Sequence, residues 1–338
     1  MPYHLFRPIL FALDPERAHH VAFAALDTQA AIGLARLWSG YLPEKPVEVM
    51  GLRFRNPIGL AAGLDKNARH LRGLAQLGFG FLEVGTLTPK PQPGNPQPRL
   101  FRLPEHQALI NRLGFNNDGV DAAIPRLATR SIGIPVGINL GKNASTPNEQ
   151  AVDDYLTGLR RVFQHADYVT INVSSPNTKG LRDLQAPDAI RALVRAVVLE
   201  RDRLGRLHGR QCPVAVKIAP DIEPAQLERS VEAILEGGAD AIIATNTTLS
   251  RQGVEAHPHG AEAGGLSGGP LRPLADRVLA AVVEAVRGRL PVIGVGGVLS
   301  VEDAQRKLDL GASLIQVYTG LIYRGPGFIG ELVRGVKR

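Results

Sequence analysis

Eight apolar, β-branched segments separated by amphipathic helical patterns predict an α/β fold, the closed (β/α)8 TIM barrel, behind a small N-terminal helical extension. Three observations carry the prediction. A chain of 338 residues suits an eight-fold barrel with an addition. Strand patterns that alternate with helical ones imply parallel pairing, and eight such units imply closure. No G-x-G-x-x-G opens an early helix, which argues against an open doubly wound sheet.

Hydrophobic residues make up 44% of the chain and glycines number 37, a packed enzyme-like composition rather than a disordered or fibrous one. The single cysteine, Cys212, excludes an intramolecular disulfide and a cysteine-rich metal site, and suits a reducing compartment. No basic start followed by an apolar run marks a signal peptide, and no run reaches the ~18 apolar residues of a spanning helix. The net charge of +7 is dispersed and aromatics are only 5%, which argues against nucleic acid and for small anionic ligands or a membrane surface.

The extension is residues 1–45 and the barrel residues 46–338. Asp14-Pro15 reads as a helix start, a capping carboxylate before proline at the first helical position. From Ala18 through Val21, Ala22, Ala25 and Leu26 to Ile32, apolar residues keep three-to-four spacing, continued by Leu34, Leu37 and Trp38. Phe6, Ile9, Leu10 and Leu13 form a shorter stripe before it. Two readings of these helices stay open: a cap packed on the barrel, or an apolar patch that meets a membrane. The segment's charges nearly balance, so membrane contact would rest on apolar burial.

Residues 46–57 alternate around Gly51 and predict a hairpin. The predicted barrel strands are Ile58–Leu64, Phe79–Val84, Pro135–Leu140, Tyr168–Val173, Pro213–Ala219, Ala241–Asn246, Pro291–Val295 and Leu314–Tyr318. Helices fall near 66–77, 119–130, 149–164, 187–207, 223–237, 272–288, 301–310 and 326–336. Two connections are long, and long structured loops tend to be functional. The first, Thr86 to Gly119, holds a proline-rich stretch at 89–98 too stiff for helix or central strand. The second, Asn246 to Pro270, holds Gly264-Gly265-Leu266-Ser267-Gly268-Gly269, a candidate phosphate nest or flexible lid.

An α/β barrel keeps its chemistry at the C-terminal ends of its strands. Strand four ends Asn172-Val173-Ser174-Ser175-Pro176-Asn177-Thr178, alone an ordinary turn composition. Matching polar ends elsewhere make it a site. Strand one ends Ala61-Ala62-Gly63-Leu64-Asp65-Lys66, strand two Gly85-Thr86, strand three at Asn139 and strand six Thr245-Asn246-Thr247. Strand five carries Lys217, facing core or lumen; a buried lysine is costly without an anion, which points to a ligand partner. Gly294-Val295-Gly296-Gly297, the helix-capping Ser300 and Tyr318-Thr319-Gly320 match the phosphate site of many such barrels. No H-x-x-x-H, acidic cluster or cysteine pair suggests a metal, and Ser175 lacks the G-x-S-x-G of a hydrolase. Lysines, amides and hydroxyls around a phosphate site suit proton and hydride removal from a small planar amide by a phosphate-anchored cofactor.

These residues resemble the dihydroorotate dehydrogenase family in its class 2, quinone-using, membrane-associated form. The likeness covers essentially the whole chain. It rests on Asp14-Pro15-Glu16-Arg17-Ala18-His19, Gly59-Leu60-Ala61-Ala62-Gly63-Leu64-Asp65-Lys66, Asn111-Arg112-Leu113-Gly114-Phe115-Asn116-Asn117, residues 172–178, Ala244-Thr245-Asn246-Thr247-Thr248 and Gly294-Val295-Gly296-Gly297.

The resemblance implies oxidation of dihydroorotate to orotate in pyrimidine synthesis, with one FMN per chain as first acceptor and a membrane quinone as second. It implies Ser175 as the base for the C5 proton and Lys217 beside the N1/O2 edge of the flavin. Ala62, Gly63, Leu64, Asp65, Lys66, Thr86, Asn139, Asn172, Lys217, Thr245, Gly268, Gly297, Tyr318 and Thr319 are expected to contact FMN. Lys66, Asn111, Arg112, Leu113, Gly114, Phe115, Asn172, Asn177, Asn246 and Thr247 are expected to hold the substrate. The N-terminal helices are expected to form an apolar quinone entrance, with His19 and Arg102 as contacts, and to attach the protein peripherally to the cytoplasmic face of the inner membrane. No nucleic acid, metal or obligate protein partner is expected.

Serine rather than cysteine at 175, together with the extension, points to class 2. A serine is a poor base unaided, so a relay through Thr178 or an ordered water is expected. Residues 250–265 match the family pattern poorly and are expected to form a variable lid-side loop. A rival 2-hydroxy-acid oxidase barrel needs a histidine base, and none of the nine histidines ends a predicted strand. A non-catalytic phosphate-ligand or membrane-adaptor barrel is the rival from outside the enzymes; it would be colourless.

Overall fold

The computed structural model describes residues 3–337. The first two residues of the predicted extension, and Arg338 of the predicted barrel domain, lie outside the described residues. The chain opens with α1 (Tyr3–Ala12) and α2 (Pro15–Ala31), followed by a 3-10 turn at Leu34–Trp38. Asp14 caps α2 as predicted, its carboxylate accepting from the N–H groups of Glu16 and Arg17, both at 3.0 Å. The predicted hairpin is β1 (Val47–Val49) with β2 (Leu52–Phe54).

Strands β3 (Ile58–Leu60) and β4 (Phe81–Leu87) enter the barrel, whereas β5 (Leu100–Leu103) and β6 (Ala108–Asn111) stay outside it. Then come β7 (Val136–Leu140), β8 (Tyr168–Asn172), β9 (Val214–Ile218), β10 (Ala241–Ala244), the outlying β11 (Gly265–Gly268), β12 (Val292–Val295) and β13 (Leu314–Val317). The barrel closes in the order β3-β4-β7-β8-β9-β10-β12-β13, every pair parallel. Around it lie α3 (Leu71–Gln76), α4 (Val120–Ala128), α5 (Ala151–Val162), α6 (Pro187–His208), α7 (Pro224–Glu236), α8 (Arg272–Val286), α9 (Val301–Asp309), α10 (Thr319–Arg324) and α11 (Phe328–Gly335). The predicted (β/α)8 TIM barrel is the observed fold.

Three local expectations need correction. The first helix, predicted from 66, begins only at Leu71: Ala68 is left-handed (φ 53°), and the Asp65 carboxylate holds a turn by accepting from the N–H groups of Arg69 at 2.9 Å and His70 at 2.8 Å. The glycine-rich 264–269 segment is not a flexible lid. It forms β11, fully buried and antiparallel to β6, which pairs in turn with β5. Glycines permit that approach, since a Cβ at Gly268 would lie 2.2 Å from the Gln107 carbonyl oxygen. Last, the short α10 follows Tyr318 where only a polar turn was expected.

The lumen is filled from the bottom by aromatics over glycines. The rings of Phe81 and Tyr168 cover Gly59 and Gly137 of neighbouring strands, where a Cβ would lie 2.2 Å and 2.0 Å from them. The hairpin plugs this end, Val47, Val49 and Phe54 packing with Phe81, Tyr168, Ala215 and Ile293. On the outside, α2 lies against α3, joined by hydrogen bonds from Gln76 to the Ala30 carbonyl (3.1 Å) and between the His70 ring and the Asp27 carboxylate (2.7 Å). Polar residues collect at the opposite end of the lumen.

Candidate active site

One cavity opens at the C-terminal ends of the barrel strands, with about 990 Å³ of space between its lining atoms, mouth included. That is room for a planar cofactor and a small substrate. The register sets its floor: Asn172 of β8 lies beside Lys217 of β9, and Asn139 of β7 beside Thr170. The Asn172 amide donates to Asn139 Oδ1 at 3.0 Å and Thr86 Oγ1 at 3.1 Å, and Thr86 donates to Asn139 Oδ1 at 2.6 Å. Asn172 Oδ1 accepts from the Ser174 hydroxyl at 2.9 Å, and Ser174 Oγ accepts from Asn246 at 2.9 Å. Strand ends two, three, four and six are thereby locked into one network.

Ser175 lies in the cavity wall, 6% exposed, its Oγ accepting the Asn177 backbone N–H at 3.2 Å. No histidine lines this cavity among the described residues. Thr178 Oγ1, on the same loop, is buried without a hydrogen-bond partner. The Asn177 amide donates to Asn111 Oδ1 at 3.1 Å, and Asn95 holds the Asn177 carbonyl at 3.2 Å. The proline-rich loop thus braces the serine loop. Arg182 staples it from the other side, donating to the Ser174 and Thr247 carbonyls at 3.0 and 2.9 Å.

Two lysines reach the cavity, and neither finds a hydrogen-bond acceptor among the described residues. Lys217 is 4% exposed, and burial pulls its pKa down against the opposing pull of Glu83. Burial also pushes Lys66 down to about 8. No carboxylate lines the cavity among the described residues. A buried ammonium without an anion is costly. The pair therefore fits an anionic cofactor edge and an anionic substrate.

At the far end the lining is mostly backbone: Gly268, Gly296, Gly297, Val298 and Gly320, with the hydroxyls of Ser267 and Thr319 2.9 Å apart. Gly297 is left-handed (φ 74°), and a Cβ there would lie 2.3 Å from Arg272 Cβ. N–H groups and hydroxyls with no carboxylate nearby form a donor set suited to a phosphate.

The structure gathers most of the predicted residues: Ala62, Gly63, Lys66, Thr86, Asn111, Leu113, Gly114, Phe115, Asn172, Ser175, Asn177, Lys217, Thr245, Asn246, Thr247, Gly268, Gly297, Tyr318 and Thr319 line this cavity. Four predicted residues lie elsewhere. Asn139 stands behind Thr86 and Asn172. Asp65 turns its carboxylate to the start of α3. Leu64 faces a second cavity. Arg112 pairs with Glu262 at 2.6 Å and lies over the Phe101 ring, binding the 250–265 loop to the outer sheet.

Sequence reasoning passed over Glu83 and Gln316. Glu83 is fully buried in the lumen, accepting from Asn139 at 2.8 Å, Tyr168 at 3.0 Å and Gln316 at 2.7 Å. Its signal was present: a single charge in the apolar strand Phe81-Leu82-Glu83-Val84, the pattern that singled out Lys217.

The second cavity is apolar and lies between α1, α2 and the barrel, lined by Leu10, Phe11, Ala18, His19, Phe23, Leu64, Arg102 and Leu321 among others. Tyr318 borders both cavities. Burial pushes His19 down to about 3, so its imidazole is neutral. Arg102 donates to the Leu13 carbonyl at 2.8 Å and lies 4.8 Å over the Phe11 ring, fastening the end of α1. No helix among the described residues is long and apolar enough to cross a membrane.

A family model described as dihydroorotate dehydrogenase matches residues 45–338. A dihydroorotate dehydrogenase (quinone) from Alkalilimnicola ehrlichii is 54% identical over 336 residues, covering 99% of this chain and 98% of that protein. The protein of the same name from Methylococcus capsulatus is 54% identical over 333 residues, covering 98% of each. Among solved structures, the ligand-free dihydroorotate dehydrogenase of Eimeria tenella superimposes with a TM-score of 0.83 at 38% identity, covering 93% of both chains. The chain belongs to the dihydroorotate dehydrogenase family.

Proposed function

We propose that this family member, a quinone-dependent oxidoreductase forming orotate, carries out its two half-reactions on the two sides of Tyr318, with FMN in the polar cavity. The observation that carries this reading is the pairing of two unpartnered lysines around a buried serine with an apolar cavity that shares the Tyr318 wall. Bound there, FMN would accept the substrate's C6 hydride and pass two electrons to a quinone, which leaves as quinol.

The chain's own residues do the rest. Lys66 holds the substrate carboxylate, and Asn111, Asn172, Asn177, Asn246 and Thr247 read the ring's alternating N–H and C=O groups, with Leu113, Gly114 and Phe115 over it. Ser175 takes the C5 proton and passes it toward Thr178, whose buried hydroxyl has room for one more partner. Lys217 supplies positive charge to the cofactor edge that gains electron density. The backbone of Gly268 and Gly297, with Thr319, holds the phosphate, and Ala62, Gly63, Thr86 and Thr245 face the ring system. Asn139, Asp65 and Leu64 act from behind the lining, and Arg112 through the loop it pairs with.

Residues 1–45 form the quinone-access segment, with His19 and Arg102 at its cavity and exposed Leu5, Phe6, Ile9 and Val21 as the apolar surface that meets the cytoplasmic face of the inner membrane. The test is the visible spectrum of the purified protein under anaerobic conditions. A yellow protein that bleaches on adding dihydroorotate and recolours with a soluble quinone is expected. A yellow protein that fails to bleach would remove the substrate assignment. A colourless one that gains no activity with added FMN would remove the cofactor.

A further inference from the structure

We propose that a basic groove beside the N-terminal segment binds the phosphate headgroup of an anionic membrane lipid. The groove runs between α3, the end of α4 and the Leu34–Trp38 turn, with about 1640 Å³ of space between its lining atoms, mouth included. Six arginines line it, Arg36, Arg55, Arg69, Arg72, Arg126 and Arg130, and no acidic residue does among those described. Two of the six are neutralised from outside, Arg69 by Asp118 at 2.6 Å and Arg130 by Asp167 at 2.9 Å. The other four have no carboxylate partner among the described residues. Arg55 is fixed by the carbonyls of Phe79 and Ala75, both at 2.8 Å, and Arg126 by the Asn67 carbonyl at 2.9 Å. Such bonds orient a guanidinium without cancelling its charge. Arg36 and Arg72 donate to no described residue.

A second observation selects a lipid as the source of the anion. Arg36 lies in a segment whose large apolar side chains face outward: Ile32 is 68% exposed, Leu34 44%, Leu37 67% and Tyr41 87%. Four such exposed apolar side chains within ten residues flank the groove-lining Arg36, Ser39 and Gly40 in sequence, and a free anion would leave them uncovered. A bilayer satisfies both, receiving the apolar residues in its acyl region and offering phosphates to the arginines. The inference rests on the peripheral-membrane reading of the N-terminal segment and adds the headgroup chemistry that it selects.

The test uses the full-length protein and two vesicle preparations, pure phosphatidylcholine and phosphatidylcholine with a quarter phosphatidylglycerol, in co-sedimentation. Wild type should bind the anionic vesicles more tightly. Arg36→Ala with Arg72→Ala should weaken that binding by about 25-fold, at about a factor of five per surface arginine, with binding to neutral vesicles and reduction of a soluble quinone unchanged. A control that removes exposed Arg195 and Arg277 on the far helices should bind as wild type does. An equal loss in the control, or no loss in the groove variant, overturns the headgroup site while leaving membrane attachment standing. Failure of wild type to bind either vesicle overturns attachment and groove together. Release from anionic vesicles by millimolar inorganic phosphate in wild type, but not in the groove variant, would also support the site. Phosphate that stabilises the protein through these arginines without affecting vesicle binding would reassign the groove to a soluble anion.

Discussion

Asn139 donates its amide to Glu83 at 2.8 Å, and through that bond a carboxylate sealed in the barrel lumen decides which way the amides of the site point. With Nδ2 committed to Glu83, Asn139 must turn Oδ1 toward Thr86 and Asn172. Glu83 is also the opposing charge nearest in effect to Lys217. Glu83→Gln keeps the volume but removes the charge and gives Asn139, Tyr168 and Gln316 a poorer acceptor. Loss of about 1–3 kcal/mol of folding stability is expected, along with weaker flavin retention and a shifted flavin potential. Denaturant titration and spectroelectrochemistry check it. A variant with unchanged stability and potential would reduce Glu83 to filler.

Ser175 is predicted to act on the proton and not on binding. Ser175→Ala should lower the rate of flavin bleaching by dihydroorotate by about 10²–10⁴-fold, the usual span for a positioned base. Flavin content and the affinity for orotate should stay near wild type. Thr178→Val should lower the same rate while leaving Ser175 in place if the unpartnered Thr178 hydroxyl takes the proton onward as proposed. Equal bleaching rates in Thr178→Val and wild type would move the relay to water.

Lys66 supplies a pH signature. Its pKa is lowered to about 8 by burial, so the ligand-free site loses its ammonium as pH rises through 8. Because kcat/KM reports groups of the free enzyme, kcat/KM for dihydroorotate should fall above about pH 8. In Lys66→Met that limb should vanish from a lower plateau. The stability linkage has the opposite sense. A lysine pulled below its ordinary 10.5 costs stability wherever it is charged, and that cost is relieved as pH rises from about 8 toward 10.5. Ligand-free wild type should therefore gain stability relative to Lys66→Met over that window.

How much of this was legible in sequence depends on how local each signal was. The barrel strands could be read because buried parallel strands are continuous apolar runs, and most of their polar ends line the candidate cavity. The outer sheet could not. Strands β5 and β6 are four residues each behind a proline stretch, and β11 is half glycine, paired with a partner more than 150 positions away. Glycine there means close approach, which sequence alone does not distinguish from mobility. The orientation of Arg112 was equally hidden, because its partner Glu262 lies in the least patterned loop of the chain. Glu83 was legible as a charge inside an apolar strand, but it sits within β4 and not at a C-terminal strand end, where barrel chemistry is expected.

The apolar cavity gives the last prediction, since under the proposed function it hosts the quinone half-reaction apart from the substrate site. Ala18 on α2 lines it and is 6% exposed, in a lining that includes the apolar Phe23, Leu64 and Leu321. Ala18→Phe would project a ring into the space between α2 and the barrel without touching Ser175, Lys66 or Lys217, which line the other cavity. Overpacking should cost about 1–3 kcal/mol of stability, tolerable for a chain of this size, and the flavin should still bleach with dihydroorotate at the wild-type rate. Reoxidation by quinone should slow, with a raised KM for long-tailed quinones and a smaller effect for short ones that need less of the cavity. His19, neutral with a pKa of about 3, should add no pH dependence to that step between pH 5 and 8. Parallel slowing of both half-reactions would mean that Tyr318 transmits the strain to the polar cavity, and that the two spaces are coupled and not merely adjacent.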